Sequence, residues 1–443
     1  MFTPRTNQVS IAGIGFTILI LVGCAADPTG DTHPTATGGA PTGTGGVAVA
    51  TGGKAAATGG GVAVTGGVPT GGIVVATGGV PVATGGVTPT IEVGKWLKCS
   101  QLTQAKMDYE YSSWKDKYLV ACGTDKARVD FMEKVGVHTT NTVSEGIGYG
   151  VLLAAGMRDC PTVKKLYTFY AGAVAAKSAS QNGNLLPASL MPWKFTSGCE
   201  TNSAADANFA SDGDLDVAMG LLQADAVCAD AASYNYKQKA LSVINALKSK
   251  AFTDANGMSA VKGGAIDNRI NPSYFSPGYY RAFAKAASGD AAFWTKAATD
   301  ALALLKQYQQ GGKWMDWTDK STSSYDAIRV PWRLATDYAW NPTAEAKALL
   351  DTYRTQAMNN QLPYAATAQA DHNSAFVGAA ALSAMSADQA KMDAFCADWV
   401  PRAIGFNIKV TDATGQLDDS PYYQGTLRVV YMLLASGYAL STL

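Results

Sequence analysis

Glu145 is the first residue whose surroundings point to chemistry. It lies in the stretch Ser144-Glu145-Gly146, at the start of an apolar, glycine-broken segment that continues to residue 155. This pattern predicts a loop that leads into a buried helix. One interpretation is a capping box, in which Thr142 or Ser144 caps the helix and Glu145 binds a first-turn N–H. The other is a carboxylate held in place for proton transfer.

Three more acids, Asp212, Asp214 and Asp216, occur at a spacing of two where a helix is predicted to begin. Capping and the helix dipole account for one or two of them, and we interpret Asp214 and Asp216 as structural. An EF-hand calcium loop is excluded because Val217 and Gln223 take the places of its required glycine and glutamate. Asp212, at the mouth of the helix, is best placed to face a cleft.

Two further stretches combine aromatic rings with polar groups. Residues 271–277, which include Tyr274, form a proline-braced turn that suits either a rigid helix start or a site. In residues 325–333, Asp326 and Arg329 are three apart and would share a helical face. An exposed ion pair contributes only a few tenths of a kcal/mol, so we interpret this pair as part of a cleft.

The remaining motif classes are missing from the sequence. It contains no G-x-S-x-G and no Gly-Lys-Ser/Thr stretch, and its three histidines and unclustered cysteines make a metal site improbable. We therefore expect no metal and no cofactor. Hydrolysis of a glycosidic bond needs one protonated and one ionised carboxyl group, with flat rings that stack on sugars. This chemistry matches the residues that are present.

The first 23 residues predict an export signal. Arg5 precedes an apolar run, residues 11–22, that is too short to span a bilayer. Leu21-Val22-Gly23-Cys24 resembles a bacterial lipobox, which would make Cys24 the lipidated first residue of the mature chain. The alternative is an ordinary cleavage site near Ala25-Ala26. We expect a cell-envelope lipoprotein at the outer membrane or cell surface, with Cys24 binding the membrane through its lipid, or else a secreted protein.

Residues 24–92 repeat Thr-Gly-Gly and contain no aromatic side chain. Such a segment cannot bury a core, so we predict a disordered, flexible linker. A stacked glycine-rich repeat is the alternative, but the irregular period is evidence against it.

If Cys24 is lipidated, six cysteines remain for up to three disulfides, whose pairing stays open among fifteen possibilities. With 35 basic and 35 acidic residues, no nucleic-acid partner is expected.

Residues 93–443 predict one all-α domain, and all nine tryptophans lie in it. Helical periodicity and high alanine content mark residues 163–177, 215–228, 236–250, 279–287, 291–308, 344–356, 373–386 and 427–438. Short breaks that hold Gly, Pro or Asn favour antiparallel neighbours. About a dozen such helices suit a closed double ring of helical hairpins, although periodicity alone does not exclude a solenoid.

Six stretches in this order resemble glycoside hydrolase family 8. They are Ser144-Glu145-Gly146-(x)2-Tyr149-Gly150, Asp212-Gly213-Asp214-Leu215-Asp216-(x)-Ala218, Asn271-Pro272-Ser273-Tyr274-Phe275, Tyr325-Asp326-Ala327-(x)-Arg329-(x)2-Trp332-Arg333, His372-Asn373-(x)2-Phe376-(x)-Gly378 and Tyr422-Tyr423-(x)4-Arg428. The resemblance extends from about residue 96 to the end of the chain. It implies an (α/α)6 barrel that hydrolyses β-1,4-linked glycans with inversion.

The resemblance also implies roles for particular residues. The general acid falls on Glu145 and the general base on Asp326. The residues implied to bind substrate or support the base are Asp212 at the cleavage centre, Tyr274 and Arg329 beside the base and its water, Trp193 as a stacking platform, and Tyr423 as a ring on the leaving-group side.

These roles carry physical expectations. Inversion requires the two carboxyl groups to lie about 6.5–9.5 Å apart, with a water between base and sugar. Glu145, beside Tyr149 and apolar neighbours, should have a raised pKa that keeps it protonated. Asp326, beside Arg329, should stay ionised.

The sequence departs from the family in one respect. Many members carry a stacking tryptophan shortly before the third motif, but residues 262–270 contain no aromatic ring. The polymer therefore stays open. We expect a monomeric endo-acting enzyme on β-1,4-glucan, of cellulose type or mixed linkage. The alternatives are a chitosanase or xylanase of the same family, or a surface glycan-binding protein without catalytic activity.

Overall fold

Alternating long and short connections join the helices of the protein. The computed structural model describes residues 96–132, 137–180, 189–201, 208–264, 267–362, 374–402, 410–411, 417–418, 422–439 and 441. The helices are α1 Gln104–Tyr118, α2 Ser144–Gly156, α3 Cys160–Ser180, α4 Ser211–Val227, α5 Ala231–Tyr234, α6 Tyr236–Lys250, α7 Pro277–Ala286, α8 Ala291–Tyr308, α9 Arg329–Trp340, α10 Ala344–Thr352, α11 Ser374–Leu382, α12 Gln389–Arg402 and α13 Tyr422–Ser436.

Four short antiparallel strand pairs accompany the helices within the described residues. Their strands are β1 Leu119–Ala121 with β2 Ala127–Val129, β3 Thr142–Val143 with β4 Lys194–Phe195, β5 Phe252–Ala255 with β6 Met258–Val261, and β7 Val410–Thr411 with β8 Leu417–Asp418. Short 3-10 turns cover Pro272–Tyr274, Ser288–Asp290 and Ser383–Ser386, and a π-turn covers Tyr353–Ala357.

Six helices form an inner ring. In order around the ring they are α2, α4, α7, α9, α11 and α13, and α13 packs against α2 to close it. Each inner helix also packs against an outer helix, namely α3, α6, α8, α10, α12 and α1 in the same order. The closed double ring confirms the predicted all-α fold and excludes the solenoid.

Burial explains which helices lie inside. Every residue of α2 is buried except Glu145, and so are the first fourteen residues of α4. An outer helix such as α1 buries only one stripe, with Met107, Tyr111, Trp114 and Tyr118 at helical spacing. The inner helices α2 and α4 are thus buried on nearly all sides, whereas α1 buries one stripe and covers the ring from outside.

The two kinds of connection differ in length. An inner helix is separated from the next outer helix by short stretches, such as residues 157–159 and 341–343. An outer helix is separated from the next inner helix by much longer ones, such as residues 181–210 and 251–276. In an antiparallel double ring these two sets must lie at opposite ends, so every inner helix begins at the end with the long connections.

Glycines allow α2 and α4 to approach closely. An added Cβ at Gly148 would lie 2.7 Å from the carbonyl oxygen of Gly213. At Gly213 it would lie 2.5 Å from the carbonyl carbon of Ser144 and 2.7 Å from the nitrogen of Glu145. Real Cβ atoms do not tolerate such distances, so side chains at these two positions would push the helices apart. Gly213 therefore sets the distance of Glu145 from α4.

We expect Gly213→Ala to lower the free energy of unfolding by about 1–3 kcal/mol, because overpacking against backbone atoms cannot be relieved by rotation of a side chain. Denaturant unfolding measures the change. Gly289→Ala is the matched control, since an added Cβ there meets nothing within 4 Å and should change stability by less than about 0.5 kcal/mol. Equal effects of the two substitutions would contradict this account of the α2–α4 contact.

Three disulfides fasten the domain. They pair Cys99 with Cys396, Cys122 with Cys199 and Cys160 with Cys228. The six cysteines thus form the three disulfides that the sequence allowed, and the structure gives the pairing that the sequence left open. The predictions for the signal at residues 1–23, for Cys24 and for the linker at 24–92 lie outside the described residues. No helix in the described part is both long and apolar enough to cross a membrane.

Candidate active site

The six motif stretches meet at one end of the inner ring. Each of them precedes or opens an inner helix: Ser144 begins α2, Ser211 begins α4, Pro277 begins α7, Arg329 begins α9, Ser374 begins α11 and Tyr422 begins α13. His372 and Asn373 of the fifth stretch lie outside the described residues. Because the inner helices all begin at the same end, residues far apart in sequence converge there.

Arg329 joins three of the predicted site residues. Its Nη1 lies 2.5 Å from Oε2 of Glu145 and 2.7 Å from Oδ2 of Asp212. Its Nη2 lies 2.5 Å from Oδ1 of Asp326. The sequence predicted the pair between Asp326 and Arg329 only. The structure extends it to one buried guanidinium that binds three carboxyl groups from three helices or helix starts.

A second ion pair lies one helical turn below the first. Asp216 binds Arg333 through both of its oxygens, at 2.5 Å and 2.9 Å. Asp212 and Asp216 are four apart on α4, and Arg329 and Arg333 are four apart on α9, so each couple shares one face of its helix. The two ion pairs, Asp212–Arg329 and Asp216–Arg333, therefore lie one helical turn apart between α4 and α9, which run in the same direction. The interpretation of Asp216 as structural agrees with this arrangement.

The three carboxyl groups around Arg329 differ in their access to solvent. The side chain of Glu145 is 17% exposed, whereas that of Asp212 is 3% exposed and that of Asp326 is 8% exposed. Glu145 is also the one residue of α2 that is not buried. Its carboxyl group is therefore the one that a solvent-borne molecule reaches most easily.

Burial raises the pKa of Glu145 to about 8. Arg329 and a hydrogen bond from Tyr422 oppose this rise, while the charges of Asp212 and Asp326 add to it. Three buried carboxylates around one arginine exceed its charge, so at least one of them must hold a proton at neutral pH. The predicted protonation of Glu145 agrees with this balance.

Asp326 departs from the expectation that Arg329 keeps it fully ionised. Burial outweighs the effect of Arg329 and raises the pKa of Asp326 to about 7, and the charges of Asp316 and Asp212 add to the rise. Asp326 is still the more acidic partner, because the pKa of Glu145 is raised further, to about 8. Between pH 7 and pH 8, Asp326 is thus mostly ionised while Glu145 is mostly protonated.

The second oxygen of each carboxyl group binds an aromatic donor. The Tyr422 hydroxyl donates to Oε1 of Glu145 at 3.1 Å, and the indole N–H of Trp317 donates to Oδ2 of Asp326 at 3.1 Å. A Cβ at Gly146 would lie only 3.0 Å from the Tyr422 hydroxyl. The glycine after Glu145 therefore makes room for the tyrosine that orients it.

Trp193 lies beside the start of α2. Its carbonyl oxygen accepts a hydrogen bond from the Ser144 N–H at 2.8 Å. Asp214 holds the same segment, because its Oδ1 accepts from the Met191 N–H at 3.1 Å and from the Tyr170 hydroxyl at 2.6 Å. The Trp193 ring is half-buried. The structure thus places the backbone of Trp193 beside the start of α2, and it gives Asp214 a structural role. The stacking role of the Trp193 ring stays a prediction.

Tyr274 and Tyr423 are also brought to this end. Tyr274 is buried, and its ring centre lies 5.5 Å from the guanidinium carbon of Arg329. The hydroxyl of Tyr423 donates to the carbonyl oxygen of Tyr325 at 2.5 Å. Tyr423 therefore binds the backbone directly before Asp326, and its half-buried ring contacts that of Tyr325 at 5.9 Å. Their roles toward a sugar stay predictions.

The capping prediction for Ser144 and Thr142 is wrong. Val143 is the N-cap of α2, no side chain caps the helix, and the hydroxyl of Ser144 makes no hydrogen bond within the described residues. Glu145 lies in the first turn rather than in a loop. Long-range pairing of Val143 in β3 with Lys194 in β4 fixes the start of the helix instead.

Sequence reasoning missed Trp317 and Tyr422. Tyr422 was quoted with Tyr423, but the pair gives no local reason to prefer either ring for Glu145. Trp317 had a weak signal, because an acid and a large ring, Asp316-Trp317, follow the Gly311-Gly312 break in the segment that leads to Asp326. Neither residue could be matched to its carboxyl group without the fold.

The closed double ring is an (α/α)6 barrel. Two carboxyl groups with different pKa values, lying among aromatic rings, are typical of the active site of a glycosidase. Residues 90–437 match the family described as Glycosyl hydrolases family 8. The chain belongs to glycoside hydrolase family 8, and the resemblance seen in the sequence is confirmed.

Curated relatives carry names of the same kind. Endoglucanase 2 of Ruminiclostridium josui is 26% identical over 350 residues, which cover 74% of this chain and 70% of that protein. The Beta-glucanase of Niallia circulans is 28% identical over 284 residues, which cover 57% of this chain and 66% of that protein.

Solved structures share the fold at low sequence identity. The β-1,3-1,4-glucanase from Paenibacillus sp. X4 superposes with a TM-score of 0.61 at 23% identity, covering 78% of this chain and 95% of the other. Rex8A from Paenibacillus barcinonensis, solved in complex with xylose, gives a TM-score of 0.60 at 18% identity and covers 78% and 98%. These likenesses support the (α/α)6 barrel.

Proposed function

We propose that the protein is an endo-acting, inverting hydrolase of β-1,4-linked glucan, with Glu145 as general acid and Asp326 as general base. The observation that carries the proposal is the convergence of Glu145, Asp212 and Asp326 on Arg329. A stability role alone does not account for it, because three buried carboxyl groups around one cation cost more desolvation than one ion pair returns.

The contacts with Arg329 set an upper limit on the separation of the two carboxyl groups. The oxygens of Glu145 and Asp326 that bind Arg329 each lie 2.5 Å from a different nitrogen of one guanidinium, so they are no more than about 7 Å apart. Inverting glycosidases separate their carboxyl groups by about 6.5–9.5 Å, and retaining ones by about 5–5.5 Å. The limit of about 7 Å overlaps the inverting range only at its lower end and also includes the retaining distance, so inversion rests on the resemblance to the family and is decided by the anomer of the first product.

The proposed reaction follows from the protonation states. Asp326, ionised, takes a proton from a water that attacks the anomeric carbon, while protonated Glu145 donates its proton to the leaving oxygen. Asp212 accepts hydrogen bonds from hydroxyls of the sugar at the cleavage point. Arg329 favours the ionised form of Asp326 and binds all three carboxyl groups. Trp193, whose backbone binds the start of α2, supplies a ring for a flanking sugar.

The choice of glucan rests on the relatives, which are named endoglucanases and a beta-glucanase. Xylan is the second candidate, because a structure of the same fold was solved with xylose. Reducing-end release from cellulose-type glucan, mixed-linkage glucan, xylan and chitosan separates these candidates. A rapid fall in viscosity for each new reducing end indicates endo cleavage. Proton NMR of the first products tests inversion, which should give the α-anomer, and an initial β-anomer would refute it.

Export and lipid attachment at Cys24 form part of the proposal. The other six of the seven cysteines are paired in disulfides, which is typical of chains that fold outside the cytoplasm. Cys24 is left over, at the position that the lipobox resemblance assigns to lipid. Mass spectrometry of the mature N-terminus decides between a lipidated Cys24 and cleavage near Ala25-Ala26.

Tyr422→Phe is expected to move one limb of the pH profile. The Tyr422 hydroxyl donates to Glu145 and lowers its pKa, so loss of the hydroxyl should raise that pKa. Activity needs protonated Glu145, and the alkaline limb of kcat/KM should therefore move to higher pH by about half a unit. Tyr431→Phe, which removes a buried hydroxyl that makes no hydrogen bond within the described residues, is the control and should leave the limb in place. An unchanged limb in Tyr422→Phe would contradict the assignment of Glu145 as the acid.

A further inference from the structure

Trp317 contacts Asp326 through a single polar atom. Its indole N–H donates to Oδ2 at 3.1 Å, in a buried bond, while Arg329 binds Oδ1. Each oxygen of an ionised carboxylate accepts about two hydrogen bonds. Because Asp326 is held at both oxygens, it is fixed in orientation and still has a free lone pair for the proton of a water.

The segment that carries both residues is held as a closed loop. Asp316, next to Trp317, accepts hydrogen bonds through Oδ1 from the N–H of Ser324 at 2.8 Å and of Ala327 at 2.9 Å. These bonds tie the start of the loop to the residues on either side of Asp326. The indole and the carboxyl group therefore belong to one loop that its own hydrogen bonds close.

A cation covers the outer face of the same indole. The guanidinium carbon of Arg269 lies 4.3 Å from the centre of the Trp317 ring, and Asp267 holds Arg269 with two hydrogen bonds, at 2.9 Å and 2.7 Å. A cation on the face of an aromatic ring draws electron density toward it and so makes the N–H a better donor. Arg269 also lies in residues 262–270, where the sequence has no aromatic ring.

We propose that Trp317 is a positioning residue for the general base, and that its indole N–H, backed by Arg269, stabilises the ionised form of Asp326. The inference rests on the proposed function, since it takes Asp326 as the base. The other groups that face Asp326 are Arg329, which favours its ionised form, Asp316 and Asp212, which oppose it, and the Asn271 side chain, which favours it; Glu145 lies across Arg329.

Loss of the indole N–H should raise the pKa of Asp326, because a hydrogen bond to the charged form lowers it. Activity requires ionised Asp326, so the acidic limb of kcat/KM should move to higher pH. We expect a shift of about one unit, which corresponds to about tenfold lower activity well below the limb. The alkaline limb, set by Glu145, should not move.

The test compares three variants over a full pH profile on the glucan that the enzyme hydrolyses fastest. Trp317→Phe removes the N–H and part of the ring. Site-specific replacement of Trp317 by benzothienylalanine removes the N–H and keeps the shape, which guards against a folding defect in the phenylalanine variant. Trp314→Phe is the control, because the Trp314 N–H donates at 2.7 Å to the carbonyl of Leu305, away from Asp326.

The expected result is an acidic limb displaced upward in both Trp317 variants and unmoved in Trp314→Phe. An acidic limb of the benzothienylalanine variant that coincides with the wild type, or two limbs that move together, would overturn the inference. Failure of the proposed function is distinguishable, because it would appear as retained activity in Asp326→Asn whatever the Trp317 variants do.

Discussion

Replacing Asp326 with Asn is expected to lower kcat/KM by about 10³–10⁴-fold, the upper part of the range for loss of one acid–base group. Asn keeps the size of the side chain and an oxygen that can accept from Arg329 or Trp317, so the fold should persist. What it loses is the ability to take a proton from water. The effect corresponds to about 4–5.5 kcal/mol in the activation barrier.

Glu145→Gln should lower kcat/KM on polysaccharide by a comparable factor, because the variant cannot donate a proton to the leaving oxygen. A change of substrate distinguishes this loss from that of the base. A glycosyl fluoride has a leaving group that needs no proton, so it should recover much of the rate in Glu145→Gln and little in Asp326→Asn. Asp337→Asn is the matched control, because Asp337 is buried and bound to Arg281 at 3.0 Å outside the site. Activity of Asp326→Asn close to that of the control would refute the assignment of the base.

Arg329→Met is expected to cost about 3–5 kcal/mol of stability near neutral pH, because removal of one partner leaves buried carboxyl groups without compensation. Arg329 lowers the pKa of both Glu145 and Asp326, so both values should rise further in the variant. Activity should fall with them, since Asp326 would be protonated over most of the working range.

The stability loss should depend on pH in a defined direction. The pKa values of Glu145 and Asp326 are raised in the folded state, to about 8 and about 7, above their ordinary values near 4. The folded protein therefore binds more protons than the unfolded chain between these limits, and this contribution to stability is lost as pH rises. Because Arg329→Met raises the folded values further, the difference from wild type should be large at pH 8 and smaller at pH 5.

Denaturant unfolding at pH 5 and pH 8 measures this dependence. Lys347→Met is the control, since Lys347 pairs with Asp351 at the surface with 46% of its side chain exposed, and such a pair contributes about 0–1 kcal/mol at either pH. An equal loss at both pH values in Arg329→Met would mean that the carboxyl groups around Arg329 do not take up protons when it is removed.

The fold was accessible from the sequence because its helices are periodic or alanine-rich. The predictions for 236–250 and 291–308 match α6 and α8 residue for residue. The segment 329–340 was not marked as a helix, because Pro331 and three charged residues, Arg329, Arg333 and Asp337, interrupt its apolar stripe. The hairpins were missed as well, although Asn256-Gly257 between β5 and β6 is the turn pair that two-residue hairpins favour.

The candidate site was accessible in its residues but not in its contacts. Local pattern singled out Glu145, Asp212, Asp326 and Arg329, yet only the ring brings residues 145 and 329 together across 184 positions of chain. The start of α2 shows the same limit. Ser144 has the side chain of a cap, but strand pairing of Val143 with Lys194 decides where the helix begins. Long-range pairing of this kind leaves no local signature.

The long and the short connections between helices lie on opposite rims of the double ring and differ in the residues they carry. The candidate site residues occur at the rim where 19 to 30 residues separate an outer helix from the next inner one, whereas three to eight residues suffice on the opposite rim. Loops on a rigid scaffold tolerate change more readily than the elements they join. The long loops on one rim can therefore change during evolution, and specificity with them, while the short connections on the other rim keep the ring closed. A fusion partner or surface tether inserted between α9 and α10 would lie on the rim opposite the cleft.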